Sequence, residues 1–407
     1  MSSLNSPLPV KQLIRLYFFL IFAALGMIIT YMPLHYDSIG FSGIEISTIM
    51  IGGSAAVILI APKYGLIFDQ AANKRSVLIT SLLIMAFTLG TIGWLKLFVP
   101  VLLLWMIYRS VQGPFYATSE NLSYSVASSS KEHQGSSFGS IRLWGSIGYG
   151  VSTLFAGWIY QNYGFTYNSA GFLILIGLSI VVLLFLPGSV FDMTGGIKRL
   201  DINLTSVLKM VSSHRFLWLM ALALAISDPT QDGIRSFEPI YMQNLGLQAG
   251  IIGLANSLSA LGELPFMLNA DKVIRKIGIQ RIIIFVFLFD LLRRLVVWFF
   301  PSAGVVFVTS VLTSASFTFR LVSSITLVNL ILPKHVTSTA NALIGVTMFG
   351  VGYMISNALS GFVYDRFGNR EVYLIGAALC LVSLCLALSA GKAPDNFSRI
   401  EPGEDRT

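Results

Sequence analysis

Residues 156–164 read AGWIYQNYG and residues 360–368 read SGFVYDRFG, so that glycine and tyrosine recur in order at an offset of 204 positions. The dipeptide Gly-Tyr at 148–149 recurs at 352–353 with the same offset. Glycine and tyrosine are common in apolar helices, so any one match is weak evidence, but the matches together at one offset indicate a repeat. Because this offset is close to half of the 407 residues, the pattern predicts that a six-helix unit has been duplicated.

Long apolar segments surround both stretches. In the whole chain 55% of the residues are hydrophobic and 11% are charged, against roughly 25% charged in soluble proteins. The segments number twelve and fall approximately at 12–36, 45–68, 76–96, 100–126, 136–161, 166–187, 215–241, 248–270, 281–300, 302–330, 338–363 and 371–391. Each is long enough to span a bilayer as a helix, in which the backbone satisfies its own hydrogen bonds. The sequence therefore predicts an all-α integral membrane protein of two pseudo-symmetric six-helix bundles, and excludes a soluble enzyme, a secreted disulfide scaffold and a disordered regulator.

Basic residues outside the apolar segments give the orientation. With the N-terminus inside, 17 lysines and arginines fall on the inner side and 3 on the outer side. The predicted parts are a cytoplasmic N-terminus at 1–11, an N-terminal bundle at 12–187, a cytoplasmic central loop at 188–214, a C-terminal bundle at 215–391 and a cytoplasmic tail at 392–407. We expect a multi-pass protein of the cytoplasmic (inner) cell membrane with both termini in the cytoplasm.

Charged residues also occur inside the apolar segments. They are six basic and six acidic residues: Arg109, Arg142, Arg235, Arg293, Arg294, Arg320, Glu120, Asp228, Asp232, Glu238, Glu263 and Asp290. A charge at mid-membrane costs at least ~2.5–3.5 kcal/mol, so charges that persist there usually face a wet cavity or a partner. The balance of signs predicts an internally compensated polar cavity rather than an ion-selective pore.

Other roles stay open for several of these charges. Arg235 and Glu238 lie near the outer end of their segment, from which they could reach the membrane surface. Arg320 could contact headgroups or a neighbouring carbonyl. Asp228 and Asp290 could each be one half of a fixed interhelical ion pair with an arginine of span nine or ten.

The loop between spans two and three carries the pattern Gly65-x-x-x-Asp69, followed by Lys74 and Arg75. A carboxylate near helix ends, with basic residues facing anionic lipid, is typical of a tight inner loop. We interpret these four residues as a conformational latch.

No sequence motif indicates an enzyme. There is no Walker A sequence, no nucleophile elbow and no histidine or cysteine cluster with metal-ligand spacing. We therefore expect no catalytic residues, no cofactor, no bound metal and no nucleic-acid partner, and an ion or solute gradient as the energy source.

The stretch RLWGSIGY at 142–149 and the Gly-Glu pair at 262–263 resemble sequences of the major facilitator superfamily, in particular the branch of lactose permease and related proton-linked permeases. The twelve spans, the central inner loop and a degenerate form of the loop signature fit the same superfamily. The resemblance implies a substrate site formed by Glu120, Arg142, Tyr149, Glu263 and Arg294. Arg142 would donate hydrogen bonds to the solute and Tyr149 would offer a flat apolar face, while Glu120 would hold the arginine or accept from solute hydroxyls.

The chain departs from that branch in spans ten and eleven. The branch carries a histidine and a proton-carrying glutamate in span ten, where residues 313–316 here read TSAS. A lysine of span eleven is replaced by apolar residues near Phe349. Lactose specificity and the usual proton route are therefore not implied.

We expect a secondary active transporter that moves a small polar solute (a sugar, a nucleoside or an aromatic or organic acid) by alternating access, with proton-coupled symport. The resemblance implies a functional monomer in the lipid bilayer. Two alternatives stay open: proton-linked efflux of amphipathic compounds, recognised through an aromatic-rich lining, and a permease-like sensor.

Glu263 is the predicted proton carrier. It lies about fifteen residues into its span, too deep for its short side chain to reach either surface. Burial favours the neutral carboxyl, and the approach of an arginine such as Arg294 favours the carboxylate, so relative motion of the bundles could release the proton. Asp228, Asp232 and Asp290 are the reserve candidates for proton coupling.

Overall fold

The computed structural model describes residues 10–61, 63–64, 71, 73–128, 134–192, 215–331 and 347–391. These ranges are helical apart from short connections, and no strand occurs within them. The helices are α1 (Val10–Ile28), α2 (Met32–Ser38), α3 (Gly43–Leu59), α4 (Lys74–Ile92), α5 (Phe98–Ser128), α6 (Gln134–Tyr163), α7 (Phe165–Phe185), α8 (Gly188–Asp192), α9 (Arg215–Asn244), α10 (Ala249–Ile277), α11 (Ile279–Phe299), α12 (Ala303–Ile331), a π-helical turn (Thr347–Gly352), α13 (Tyr353–Phe367) and α14 (Asn369–Ser389).

The twelve predicted apolar segments each coincide with helix in the described ranges. In that part of the chain, six stretches are long and apolar enough to cross a membrane by length and composition: Val10–Ser38, Lys74–Ile92, Phe165–Phe185, Ala249–Ala270, Ala303–Ser324 and Asn369–Ser389. The other long helices carry ten of the twelve charges discussed above, and the remaining two, Glu263 and Arg320, lie within two of these six stretches. The helices α1 and α2 fall in one predicted segment, the π-helical turn and α13 fall in another, and α8 lies in the predicted central loop. The chain therefore has an all-α membrane fold of twelve spanning segments.

The repeat in the sequence reappears as a repeated turn. Gly164 alone connects α6 to α7, with φ 88° and ψ 171°, and Gly368 alone connects α13 to α14, with φ 95° and ψ 172°. A positive φ of this size favours glycine, because other residues meet steric clashes there. These two glycines are 204 positions apart, so equivalent places in the two halves make the same single-residue connection.

The structure adds three details that the hydrophobic pattern did not predict. The first span is broken between α1 and α2, where Pro33 lies in the first turn of the second helix. A π-helical turn directly precedes α13. The short helix α8 occupies the start of the predicted central loop 188–214, and the loop from residue 193 onward lies outside the described residues.

The chain divides into two compact units, Met1–Arg199 with Phe237–Leu261, and Leu200–Ser236 with Gly262–Thr407. In the first unit α1 packs along α6 and α7, and α5 packs against α3 and α4. In the second unit α11 packs against α12 and α14, and apolar side chains of α9, α11 and α14 form a buried core. The predicted bundle boundaries at residues 187 and 215 stay a prediction.

Candidate functional site

Arg109 of α5 is held inside the first unit by its own helix. Its guanidinium donates a hydrogen bond to Gln112 Oε1 and lies 5.8 Å from the centroid of the Trp105 ring. Spacings of three and four residues place these side chains on one helix face. A Cβ at Gly53 of α3 would lie 2.4 Å from Trp105 Nε1, so glycine permits α3 to approach this face. The predicted cavity charge is thus at least partly satisfied within the unit.

The predicted solute clamp lies on α5 and α6. The Tyr149 hydroxyl lies 3.0 Å from Thr30 Oγ1, which the sequence had not indicated as a partner. Glu120 is half-buried on α5. The backbone of Arg142 lies in α6, but its side chain is outside what the structure describes. The site formed by Glu120, Arg142 and Tyr149 therefore stays a prediction.

Two glycines bring α6 and the first part of α10 into close contact inside the first unit. A Cβ added at Gly157 would lie 2.6 Å from the carbonyl oxygen of Ala249, and one added at Gly253 would lie 3.3 Å from Gly157 Cα. Buried Tyr31 lies at the same place and donates a hydrogen bond of 2.7 Å to the Thr153 carbonyl. The two backbones therefore approach more closely than any side chain larger than hydrogen permits.

A glutamine pair extends this contact to the start of α10. Gln161 Nε2 donates to Gln248 Oε1 at 2.9 Å, and Gln161 Oε1 accepts from the backbone N–H of Gly250 at 3.2 Å. The first N–H groups of a helix have no partner within that helix. Gln161 therefore fixes the N-terminus of α10 to the end of α6.

A buried ion cluster joins three helices of the second unit. Arg320 Nε lies 3.0 Å from Asp228 Oδ1, and Arg320 Nη2 lies 3.3 Å from Asp290 Oδ2. Asp290 is 1% exposed and Arg320 is 3% exposed, so these charges are removed from both headgroups and hydrocarbon. Asp228 and Asp290 thus form interhelical ion pairs, one of the two roles that the sequence left open for them.

The two arginines of α11 point into the same unit. Arg294 is fully buried and donates from Nη1 to the Gly376 carbonyl at 2.7 Å and from Nη2 to Gln231 Oε1 at 3.2 Å. The guanidinium of Arg293 lies 5.9 Å from the centroid of the Tyr373 ring. Two nitrogens of Arg294 are therefore directed at α14 and α9, and its predicted roles, as a substrate ligand and as a partner of Glu263, stay predictions.

Asp232 and Arg235 of α9 contact two different helices. Asn357 Nδ2 of α13 donates to Asp232 Oδ2 at 3.2 Å, and Ser236 Oγ donates to Asn357 Oδ1 at 3.0 Å. The guanidinium carbon of Arg235 lies 5.4 Å from the centroid of the Phe317 ring of α12. The charged stripe of α9 is therefore oriented by neutral partners as well as by ions.

Glu263 is half-buried on α10, beside a close helix contact. A Cβ at the preceding Gly262 would lie 3.0 Å from Ser314 Oγ of α12. Pro265, two residues further on, has no N–H and removes one hydrogen bond from the helix. Its assignment as the proton carrier stays a prediction.

The loop before α4, predicted to lie on the inner side, is described only in part. Arg75 donates to the carbonyl of Leu186 at the end of α7, and its guanidinium lies 5.0 Å from the Phe191 ring centroid. Lys74 begins α4, which is capped by Asn73 through a hydrogen bond from Ser76 N of 3.1 Å. Gly65 and Asp69 lie outside the described residues. Arg75 therefore has contacts within the first unit, and the latch stays a prediction.

A sequence model of the MFS_1 like family matches residues 12–375, which is most of the chain. The chain belongs to this family. Its helices and buried charges are thus those of a major facilitator superfamily protein, as the sequence resemblance predicted.

Relatives of this MFS_1-like protein are named as transporters. It is 25% identical over 386 residues to the maltose permease of Geobacillus stearothermophilus, covering 94% of this chain and 95% of that protein. A point mutant of the nucleoside transporter NupG superposes with a TM-score of 0.81 at 17% identity, covering 94% of this chain and all of that one. A bacterial homologue of the human lysosomal transporter Spinster gives 0.72 at 12% identity, covering 99% and 100%. The structural likenesses show the fold.

Sequence reasoning missed the uncharged polar residues of this MFS_1-like chain. Thr30, Gln231 and Asn357 hold charged or aromatic site residues, yet single neutral residues carry no signal in an apolar helix. The repeat could have found Asn357, which is equivalent to Thr153 at the offset of 204. Both donate to the carbonyl four residues earlier, at 2.7 Å for Thr153 and 2.9 Å for Asn357.

Proposed function

We propose that this chain is a secondary active transporter that carries a neutral polar solute, a sugar in the first place, across the cell membrane. The observation that carries the proposal is the group of ion-paired and hydrogen-bonded polar residues within membrane helices. Such residues are costly in lipid, so their retention indicates a polar solute path. The 25% identity to a maltose permease along nearly the whole chain supports a sugar as the solute.

The first half of the solute site is Arg142 with Glu120 and Tyr149. A guanidinium stays charged at any working pH and donates in a fixed fork, and a carboxylate beside it accepts from hydroxyls. If Arg142→Lys transports normally, the clamp is elsewhere.

Transport is coupled to protons through buried carboxyls. Arg320 is shared by Asp228 and Asp290, so protonation of either acid leaves the arginine paired with the other. Removing one partner of an exclusive buried ion pair costs about 3–5 kcal/mol, and a shared arginine avoids part of that cost. Asp290 Oδ1 has no hydrogen-bond partner among the described residues, which leaves an oxygen available for a proton.

Glu263 and Asp232 are the other coupling candidates. Each is half-buried, in contrast to fully buried Asp290, so a proton could reach them without passing the ion cluster. If Glu263→Gln keeps pH-gradient-driven accumulation while Asp290→Asn loses it and retains solute exchange, the coupling site is the ion cluster. The reverse result assigns coupling to Glu263.

The transport cycle is alternating access between two predicted bundles, 12–187 and 215–391. The close contact of Gly157 with Gly253, together with the bond from Gln161 to the start of α10, is suited to a closed outer end. In the proposed orientation both termini are cytoplasmic, the protein lies in the inner cell membrane, and one chain is sufficient for transport.

The experiment is solute uptake by purified protein in liposomes. Radiolabelled maltose, uridine and benzoate are offered with and without an inwardly directed proton gradient, with protein-free liposomes as the control. We expect accumulation of maltose that is abolished when the gradient is collapsed. Failure to move either maltose or uridine, with or without a gradient, would overturn the proposal, whereas export of amphipathic dyes would favour the efflux alternative.

A further inference from the structure

Arg235 is an exposed charged residue of the second unit. Its guanidinium carbon lies 5.4 Å from the ring centroid of Phe317, the central residue of α12 (Ala303–Ile331). A side chain that extended to the outer membrane surface would point away from the middle of α12. Because an exposed charge at mid-depth is strongly disfavoured in hydrocarbon, the exposed surface of Arg235 faces water. A solute in that water can reach it.

An acceptor lies beside this donor. Asp232 precedes Arg235 by three residues, which places both side chains on one face of α9. Asp232 is half-buried, with Oδ2 accepting from Asn357 Nδ2 at 3.2 Å.

The acceptor is held in place from behind. Asn357 is 1% exposed, and its Nδ2 also donates to the Tyr353 carbonyl at 2.9 Å. Its Oδ1 accepts from Ser236 Oγ at 3.0 Å. With its amide fully engaged, Asn357 fixes the orientation of the Asp232 carboxylate, which leaves the second oxygen, Oδ1, directed away from this contact.

We propose that Arg235, Asp232 and Phe317 form a solute subsite in the second unit that binds vicinal hydroxyls of an uncharged sugar or ribose ring, with Asn357 as a positioning residue. This inference rests on the proposed function and names the part of the solute that this half recognises. One hydroxyl accepts from the Arg235 guanidinium, and its neighbour donates to Asp232. The half-exposed ring of Phe317 offers apolar surface to the C–H groups of the solute.

The charge of the subsite selects a neutral solute. Arg235 and Asp232 compensate each other, so a neutral ring that bridges them leaves no net charge in the membrane interior. A carboxylated solute would gain from Arg235 but would be repelled by Asp232, and the pair with its ligand would carry an excess negative charge. The subsite therefore favours hydroxyls over acids.

The test is equilibrium binding to purified full-length protein, with maltose, uridine, 2′-deoxyuridine and gluconate as the probes. The variants are Arg235→Gln and Asp232→Asn. The matched control is Arg370→Gln, because Arg370 also lies over an aromatic ring, 4.9 Å from the centroid of Trp298, but is exposed at the start of α14. Thermal unfolding of each variant checks that the fold is intact.

We expect wild-type protein and Arg370→Gln to bind maltose or uridine equally well, and both subsite variants to bind it roughly 10- to 100-fold more weakly with unchanged unfolding temperature. Preference for maltose identifies a pyranose, and preference for uridine over 2′-deoxyuridine identifies the ribose diol. If the wild type binds maltose or uridine, and Arg235→Gln and Asp232→Asn bind it with the same affinity, the subsite is wrong while the proposed function stands. Gluconate bound as tightly as the neutral probes overturns the charge argument, and a wild type that binds neither maltose nor uridine overturns both the subsite and the proposed function.

Discussion

Replacing Gly253 by alanine tests whether the contact between α6 and α10 closes the transport path. The added Cβ would lie 2.2 Å from the Tyr31 hydroxyl oxygen and 2.8 Å from the Thr153 carbonyl oxygen, whereas ordinary contacts begin near 3.4 Å. Tyr31 is fully buried and bonded to Thr153, so it cannot turn aside cheaply. The closed contact must therefore open by about 1 Å or lose the hydrogen bond.

This overpacking should destabilise the state in which α6 and α10 are in contact by about 1–3 kcal/mol, and leave the open state unaffected. Since each 1.4 kcal/mol is a factor of about ten in an equilibrium constant, the ratio of molecules with this contact open to those with it closed should rise roughly 5- to 150-fold. Gly177→Ala is the matched control, because a Cβ at Gly177, also within a helix of the first unit, would meet no atom within 4 Å.

The assay is labelling of a single cysteine at position 257 by a membrane-impermeant maleimide in whole cells, with Cys380 and Cys385 replaced by serine. Ser257 lies one turn beyond Gly253 on the same face of α10 and is 3% exposed. We expect faster labelling in Gly253→Ala and an unchanged rate in Gly177→Ala. Equal rates in all three backgrounds, at equal expression, would refute the reasoning.

Three further changes have expected outcomes. Arg320→Gln leaves two buried carboxylates without their cation and should lower the free energy of unfolding in detergent by about 3–5 kcal/mol. Adding Asp228→Asn and Asp290→Asn should restore part of this loss. An unaltered unfolding curve for Arg320→Gln would contradict the ion cluster. Gly164→Ala and Gly368→Ala each force alanine into a positive φ with extended ψ and should each destabilise the protein by roughly 1–3 kcal/mol, seen as a lower unfolding temperature that Gly304→Ala does not share. Gln161→Ala removes two hydrogen bonds to the start of α10 and should raise labelling at position 257 less than Gly253→Ala does, because it causes no steric overlap; a larger increase would mean that the glutamine, and not the glycine contact, holds this end closed.

The helical architecture could be predicted because it depends on local sequence properties. Apolar length predicted the twelve spans, and the recurrence of Gly164 as Gly368 predicted a repeated unit whose two turns have the same backbone conformation. The break between α1 and α2 was missed, because the hydrophobic run continues through it.

The candidate site was predictable in kind but not in its pairs. The intramembrane charges were found from the cost of charge in lipid, and an ion pair was one of the roles considered for Asp228 and Asp290. The sequence did not show that both acids share Arg320, because Asp228 lies 92 positions and Asp290 lies 30 positions before it in the chain. Asn357 was missed because a neutral amide carries no charge, and charge was the property that distinguished most of the other predicted site residues.

The sequence by itself determined that this chain is a membrane protein of long helices with an internal repeat and with equal numbers of acidic and basic residues in its apolar segments, since hydrophobic length and the spacing of glycines are properties of short segments. The tertiary structure decided which charges meet. The guanidinium of Arg235, on α9, lies over Phe317 at the middle of α12, and that of Arg294 donates to the backbone of α14. Packing selects such partners on different helices, and their distance along the chain does not.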